Sequence, residues 1–191
     1  MNDATRQQRV CSRAAALVQQ QPIYLDTETT GLSPTDEVIE ICLLNHDGSV
    51  LVESLVKPVG RVSSDALRIH QISDAMLNDA PGWKTVWPLV QQALQGRQVA
   101  IYNANFDMRI MQQSHQQHGL VWRKQDCASM CIMQMYAEFF GQPGRASGTF
   151  AWQSLDKAVK QCKLRLTDSR HRAQADALAA RSVLLHMAEQ K

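Results

Sequence analysis

Apolar and polar positions along this chain fall into short apolar runs separated by longer stretches of helical period. Near the N-terminus Val10, Ala14 and Leu17 share one stripe behind Asn2 or Asp3 as a cap, which predicts a helical extension over 1–21. The run Ile23-Tyr24-Leu25 predicts a strand over about 22–26, and a turn follows through Gly31–Glu37. Two β-rich runs, 38–45 and 49–58, flank Asp47-Gly48 and predict a hairpin. A short helix and a loop are expected over 63–83, then a helix over 84–96 ended by Gly96. Residues 97–104 predict a fourth strand, 105–119 a helix closed by Gly119, 120–127 a fifth strand, and 128–141 a helix stopped by Gly141. Beyond the Gly- and Ser-bearing loop 141–152, two helices over 152–162 and 172–190 close the chain. A hairpin of strands followed by alternating helix and strand predicts a three-layer α/β domain over 22–191, with a mixed five-stranded sheet flanked by helices.

Composition narrows the class without choosing a function. The 191 residues suit one domain, and 45% hydrophobic with 20% charged residues argues against disorder. No apolar run approaches the roughly 18 residues of a membrane span, and residues 1–22 lack the apolar core of a secretion signal. Cys11, Cys42, Cys127, Cys131 and Cys162 are odd in number and scattered. Cys127 and Cys131 sit four apart, but no nearby His or second Cys pair completes a zinc pattern. Reduced cysteines of a cytoplasmic protein with no membrane partner are the expectation. A net charge of +2 leaves nucleic acid open as a partner.

Carboxylates where apolar residues belong change the picture. Asp26 and Glu28 end the first strand, and side chains two apart on a strand share a face. Two adjacent carboxylates repel each other unless a cation lies between them. Asp107 suits a first helical turn through the helix dipole, yet it shares a stripe with Ile110 and Met111. Asp176 shares its helical face with Ala179, Ala180, Val183, Leu184 and Met187. A carboxylate on such a face is neutralised, paired with an arginine, or bound to metal. Four carboxylates balance two divalent cations, and an all-oxygen set suits Mg²⁺ or Mn²⁺. By residue type alone this is a candidate two-metal site for in-line displacement at phosphorus.

These residues also carry a recognisable pattern. DTETTGL (26–32), NANFD (103–107) and HRAQAD (171–176) resemble the three motifs of the DEDDh 3′–5′ exonucleases, the DnaQ-like family that includes the proofreading domain of DNA polymerase III epsilon. LRIHQISDAMLNDAP (67–81) resembles the family's VHGI…L…P segment, with Gln71 where glycine is usual, and the likeness runs from about 22 to 188. It implies an RNase H-like fold, two Mg²⁺ ions replaceable by Mn²⁺, and Asp26, Glu28, Asp107 and Asp176 as their ligands. His171, five residues before Asp176, is implied as general base. Thr27, Thr29, Thr30, Gly31 and Leu32 would approach the terminal nucleotide through backbone groups and the Leu32 side chain. His70, Asp65, Asn103 and Phe106 would complete its surroundings, and Tyr102 stands where a histidine is often seen. Arg145, Arg165, Arg170 and Arg172 are read either as a solvated surface or as phosphate contacts, and Trp83, Trp87, Trp122 and Trp152 as core or lid.

The implied activity is release of nucleoside 5′-monophosphates from the 3′ ends of single-stranded or frayed nucleic acid, DNA before RNA. The short stretch from Asp176 to Lys191 favours a stand-alone bacterial enzyme over a proofreading subunit with a polymerase or repair partner. An RNA-trimming exoribonuclease and an inactive nucleic-acid-binding module are the alternatives.

Overall fold

The parity of apolar residues on the central strands determines which layer each side chain joins. In the computed structural model, which describes residues 3–123, 129–165 and 171–190, strand β1 (Ile23–Thr29) is flanked by β2 (Val38–Leu44) and β4 (Val99–Ile101). Strands β3 (Val50–Leu55) and β5 (Ser129–Cys131) form the edges, giving the order β3-β2-β1-β4-β5. The β1–β2 and β2–β3 pairs are antiparallel, whereas β1–β4 and β4–β5 are parallel. The sheet is therefore mixed, as expected.

Tyr24, Cys42, Leu44 and Ala100 pack on one face against helices α1 (Asp3–Gln19), α6 (Ile132–Phe140), α7 (Leu155–Gln161) and α8 (Ala173–Glu189). Ile23, Leu25, Ile41, Leu43, Val99 and Ile101 point to the other face, under α4 (Trp83–Leu94) and α5 (Ala104–Gln117). Alternate residues thus serve opposite layers, the period-two rule of a sheet covered on both sides. Two short helices, α2 (Ser64–His70) and α3 (Asp74–Leu77), start at Ser63 and Ser73, whose hydroxyls accept Ala66 N–H and Met76 N–H.

Helix α1 buries the predicted stripe of Val10, Ala14 and Leu17, with Cys11, in the same core as α6 and α8. Full burial of residues such as Val10 and Leu17 contributes about 1.5–3 kcal/mol each. Arg9 and Arg13 pair with Glu138 of α6, and the Arg6 guanidinium lies 5.3 Å from the Phe150 ring centroid. Gly141 ends α6 at φ 79°, where a side chain would meet both backbone strain and Arg6.

Two expectations need correction. The fifth strand lies at Ser129–Cys131, and residues 120–123 have no strand. The apolar character of that segment serves the helical layer instead: Leu120 and Trp122 pack on the α4–α5 side, with Trp122 tilted against Trp87 and edge-on to His115. Helix α6 accordingly begins at Ile132 rather than 128, because the preceding three residues pair with β4. Cys11, Cys42, Cys131 and Cys162 are free; Cys127 and Arg170 lie outside the described residues. Among the described residues no helix is long and apolar enough to cross a membrane.

Candidate active site

At the C-terminal end of β1 the pleat that buries Tyr24 towards α8 carries Asp26 and Glu28 to the same side. Asp176 meets them from the first turn of α8. Each of the three offers an oxygen within 4.8 Å of the others. The partner strand skips a residue here: Glu28 pairs with Glu40 but Thr29 with Val38. Such a bulge, with Ile39 as the extra residue, bends β2 and increases the local twist beside the end of β1.

Asp107 approaches from α5, on the opposite layer, and is 3% exposed. Thr27, the residue of opposite parity between Asp26 and Glu28, donates its hydroxyl to Asp107 Oδ1 at 2.8 Å. Burial raises the Asp107 carboxyl above its ordinary range, opposed by that hydrogen bond. Glu28 is pushed up to about 8, first by burial and then by the charges of Asp176, Glu40 and Asp107. Arg172 only partly offsets this. The sequence-predicted acids thus gather at one end of the sheet, three of them as a tight cluster.

A fifth acid was missed. Glu40 sits directly opposite Glu28, 3% exposed, in the apolar run Val38–Leu44. A charge inside a strand buried on both faces was the available signal. Its carboxylate accepts Arg172 Nε at 3.0 Å and the Ala173 backbone N–H at 2.9 Å. Arg172, read as solvated or as a phosphate contact, forms an ion pair with Glu40. His171 is half-exposed, has φ 69°, and directs its backbone N–H at Asp176 Oδ1 over 3.4 Å.

Beside the cluster lies a cavity of about 280 Å³. Thr27, Thr29, Gly31, Leu32, Asp65, His70 and Phe106, all expected near a terminal nucleotide, line it together with Glu28; Ser63, Ala66 and Ile69 were not foreseen. Leu32 is 77% exposed at this cavity and Ile69 55%. Asp65 forms an exposed ion pair with Arg68. His70 is buried, donates from Nε2 to Thr29 O at 3.2 Å, and accepts Ile72 N–H on Nδ1 at 3.0 Å. That pattern describes a neutral ring, and burial lowers its pKa. It also ties α2 to the end of β1.

Thr30 does not line the cavity. Its hydroxyl donates to Asp36 Oδ1 and accepts Glu37 N–H, while its carbonyl takes Ser63 N–H. Gly31 leaves room for Asp36, since a Cβ there would lie 2.7 Å from Asp36 Oδ2. Asn103 is exposed at the start of α5 with no side-chain cap bond. Phe106 is half-buried under Arg109, 5.4 Å from its ring centroid. Of the tryptophans, Trp83, Trp87 and Trp122 surround His115, whereas Trp152 is 65% exposed.

Residues 23–184 match the RNase_T exonuclease family. The chain belongs to that family. This exonuclease is 35% identical over 174 residues to the uncharacterized exonuclease CP81 of Escherichia phage 186, covering 87% of this chain and 88% of that protein. It is 30% identical over 161 residues to the PolC-type DNA polymerase III of Lacticaseibacillus paracasei, covering 82% of this chain but 10% of the polymerase. The nuclease domain of 3′hExo, a DEDDh family member bound to rAMP, superimposes with a TM-score of 0.71 at 16% identity, covering 88% of this chain and 91% of that one. The fold is the RNase H-like fold of the DEDDh exonucleases, and the exonuclease is an enzyme.

Proposed function

We propose that this enzyme removes nucleotides one at a time from 3′ ends of single-stranded or frayed DNA, releasing nucleoside 5′-monophosphates with the help of two divalent cations. The observation that carries this reading is the convergence of Asp26, Glu28 and Asp176 beside a cavity of about 280 Å³. The carboxylates fit hard cations: they are all-oxygen donors, and their mutual repulsion shows in Glu28, pushed up to about 8. Arg172, the cation that partly offsets Glu28, is itself ion-paired with Glu40. Asp26, Glu28, Asp107 and Asp176 would hold Mg²⁺, with Mn²⁺ as substitute. Bound there, such cations supply activation of the attacking water and charge stabilisation at the leaving 3′-oxygen.

The chain's own groups divide the remaining work. His171 takes the proton of the attacking water on a ring nitrogen. Thr27 holds the Asp107 carboxylate in place. Leu32, Ile69 and Phe106 offer apolar surface to the terminal base, with Asp65 near the 3′-hydroxyl. A terminal nucleotide must leave its stack to enter such a cavity, which favours single-stranded or frayed ends. DNA is preferred because the PolC-type relative is named as a DNA polymerase. A proofreading role beside a polymerase draws on the same relative. We place the enzyme in the cytoplasm, in keeping with the free cysteines.

A gel assay with 5′-labelled single-stranded DNA and matched RNA tests the reading, run in Mg²⁺, Mn²⁺ or EDTA with Asp176→Ala as control. A metal-dependent ladder shortening from the 3′ end, lost in the variant, is the expected result. Absence of cleavage in either metal overturns it, and faster cleavage of RNA reassigns the substrate.

A further inference from the structure

The entry to α8 must place two groups at once, His171 just before the helix and Asp176 in its first turn. The N-cap residue Arg172 makes no side-chain capping bond of its own. Glu40 caps the helix instead, from a strand on the other side of the sequence. Its Oε2 accepts Ala173 N–H at 2.9 Å, and both its oxygens lie 3.0 Å from Arg172 Nε, with Arg172 Nη2 also on Oε1. An anionic acceptor at a helix N-terminus is favoured by the dipole as well as by the hydrogen bond. Glu40 is 3% exposed while the Arg172 side chain is 42% exposed, so the fixed end of this pair belongs to the sheet.

We infer that Glu40 and Arg172 form a positioning clamp that sets where α8 begins against β1 and β2, and thereby where Asp176 and His171 stand. The inference rests on the proposed exonuclease reading of the cluster. Residues 172 and 173 lie between the two groups they orient, so a shift of the helix start moves both together. Glu40 does not act as one more cation ligand, because Arg172 and Ala173 engage its two oxygens. A misplacement of about 1 Å at a reacting centre costs about 100-fold in rate.

The test compares wild type with Glu40→Met/Arg172→Met, which removes both charges and leaves the net charge unchanged. Replacing a buried ion pair with apolar residues is often neutral for stability, so the fold is expected to persist. The expected result is a modestly lowered melting temperature, because Ala173 N–H loses its acceptor, with a nearly unchanged oligonucleotide KM and kcat down about 10- to 100-fold. Mn²⁺ binding, followed by electron paramagnetic resonance on the protein alone, weakens, and amide hydrogen exchange in the first turn of α8 accelerates. Arg172→Lys keeps the charge but loses the planar fork, and shifts each readout the same way by less. It serves as the informative variant if the double variant does not fold. Values of kcat, Mn²⁺ affinity and exchange within twofold of wild type in the folded variant overturn the clamp. A wild type that neither binds Mn²⁺ nor cleaves overturns the functional reading. Exchange in α8, which needs no metal, still decides the clamp in that case.

Discussion

Three glutamates within two neighbouring segments have very different surroundings. Glu37 is 2% exposed and accepts Val59 N–H and Gly60 N–H at 2.9 Å each, while its second oxygen meets His118 Nε2 at 3.0 Å. Glu40 is equally buried and equally supplied, by Arg172 and the start of α8. Glu28, one strand away, has Asp176, Glu40 and Asp107 as its strongest charged neighbours, and its pKa is pushed up to about 8. A buried acid surrounded by donors holds the fold together. A half-buried acid surrounded by acids, as Glu28 is, carries a repulsion that Arg172 only partly offsets. The sign of the neighbours separates the two kinds.

Changing the two kinds of glutamate should have opposite consequences. Glu28→Gln is expected to lower kcat at least about 100- to 1,000-fold, the scale of a lost electrostatic contribution at a reacting centre. In EDTA at pH 8 the same variant should melt at or above wild type, because it removes repulsion. A melting temperature well below wild type there would break the comparison. Thr27→Val, which deprives Asp107 of its hydroxyl partner, should cost about 10- to 100-fold in activity or Mn²⁺ affinity, as loss of an outer-shell partner does. Retained activity would show that Asp107 is held by other means.

Glu37→Leu should do the reverse of Glu28→Gln. It leaves the Val59 and Gly60 amides without their acceptor, so denaturant unfolding should show a loss of about 1–3 kcal/mol. Mn²⁺ affinity should stay near wild type, and a large fall in affinity would place Glu37 with the functional acids.

The pH dependence sharpens the same contrast. Glu28 titrates near 8 when folded against an ordinary value of 4.5, so between those values the folded protein holds a proton that the unfolded chain has released. This contribution is fully present below about 4.5 and is lost as pH rises towards 8. Metal-free protein should therefore show this loss of stability between pH 5 and pH 8, and Glu28→Gln should flatten that part of the profile. Chemical denaturation at several pH values in EDTA measures it, and an identical slope in wild type and variant would contradict the raised value. The smallest effect is expected of Leu32→Ala. At 77% exposure its loss should leave stability within about 0.5 kcal/mol, while KM for oligonucleotides rises. An unchanged KM would remove Leu32 from the substrate surface.

Much of this contrast was readable before folding. Asp176 stood out because Ala179, Ala180, Val183, Leu184 and Met187 define its helix face, and all five are buried. Asp26 and Glu28 stood out because strand parity puts them together. Glu40 carried a comparable anomaly inside its apolar run, yet its partner lies 132 residues away and spacing along the chain could not name it. The fifth strand was misplaced for a related reason. Ser129–Cys131 is three residues long and paired on one side only, whereas the more apolar 120–123 segment packs on α4 and α5. A short edge strand has little periodicity of its own, and apolar residues do not reveal which layer they will cover.

By itself, then, the sequence determined the layer order, the faces on which the carboxylates lie and the family pattern they form, because each depends on spacing within one element. Only the tertiary structure decided which acid is neutralised and which faces its own kind. Those outcomes depend on contacts between β1, β2, α5 and α8, which the order of residues within any one of them does not contain.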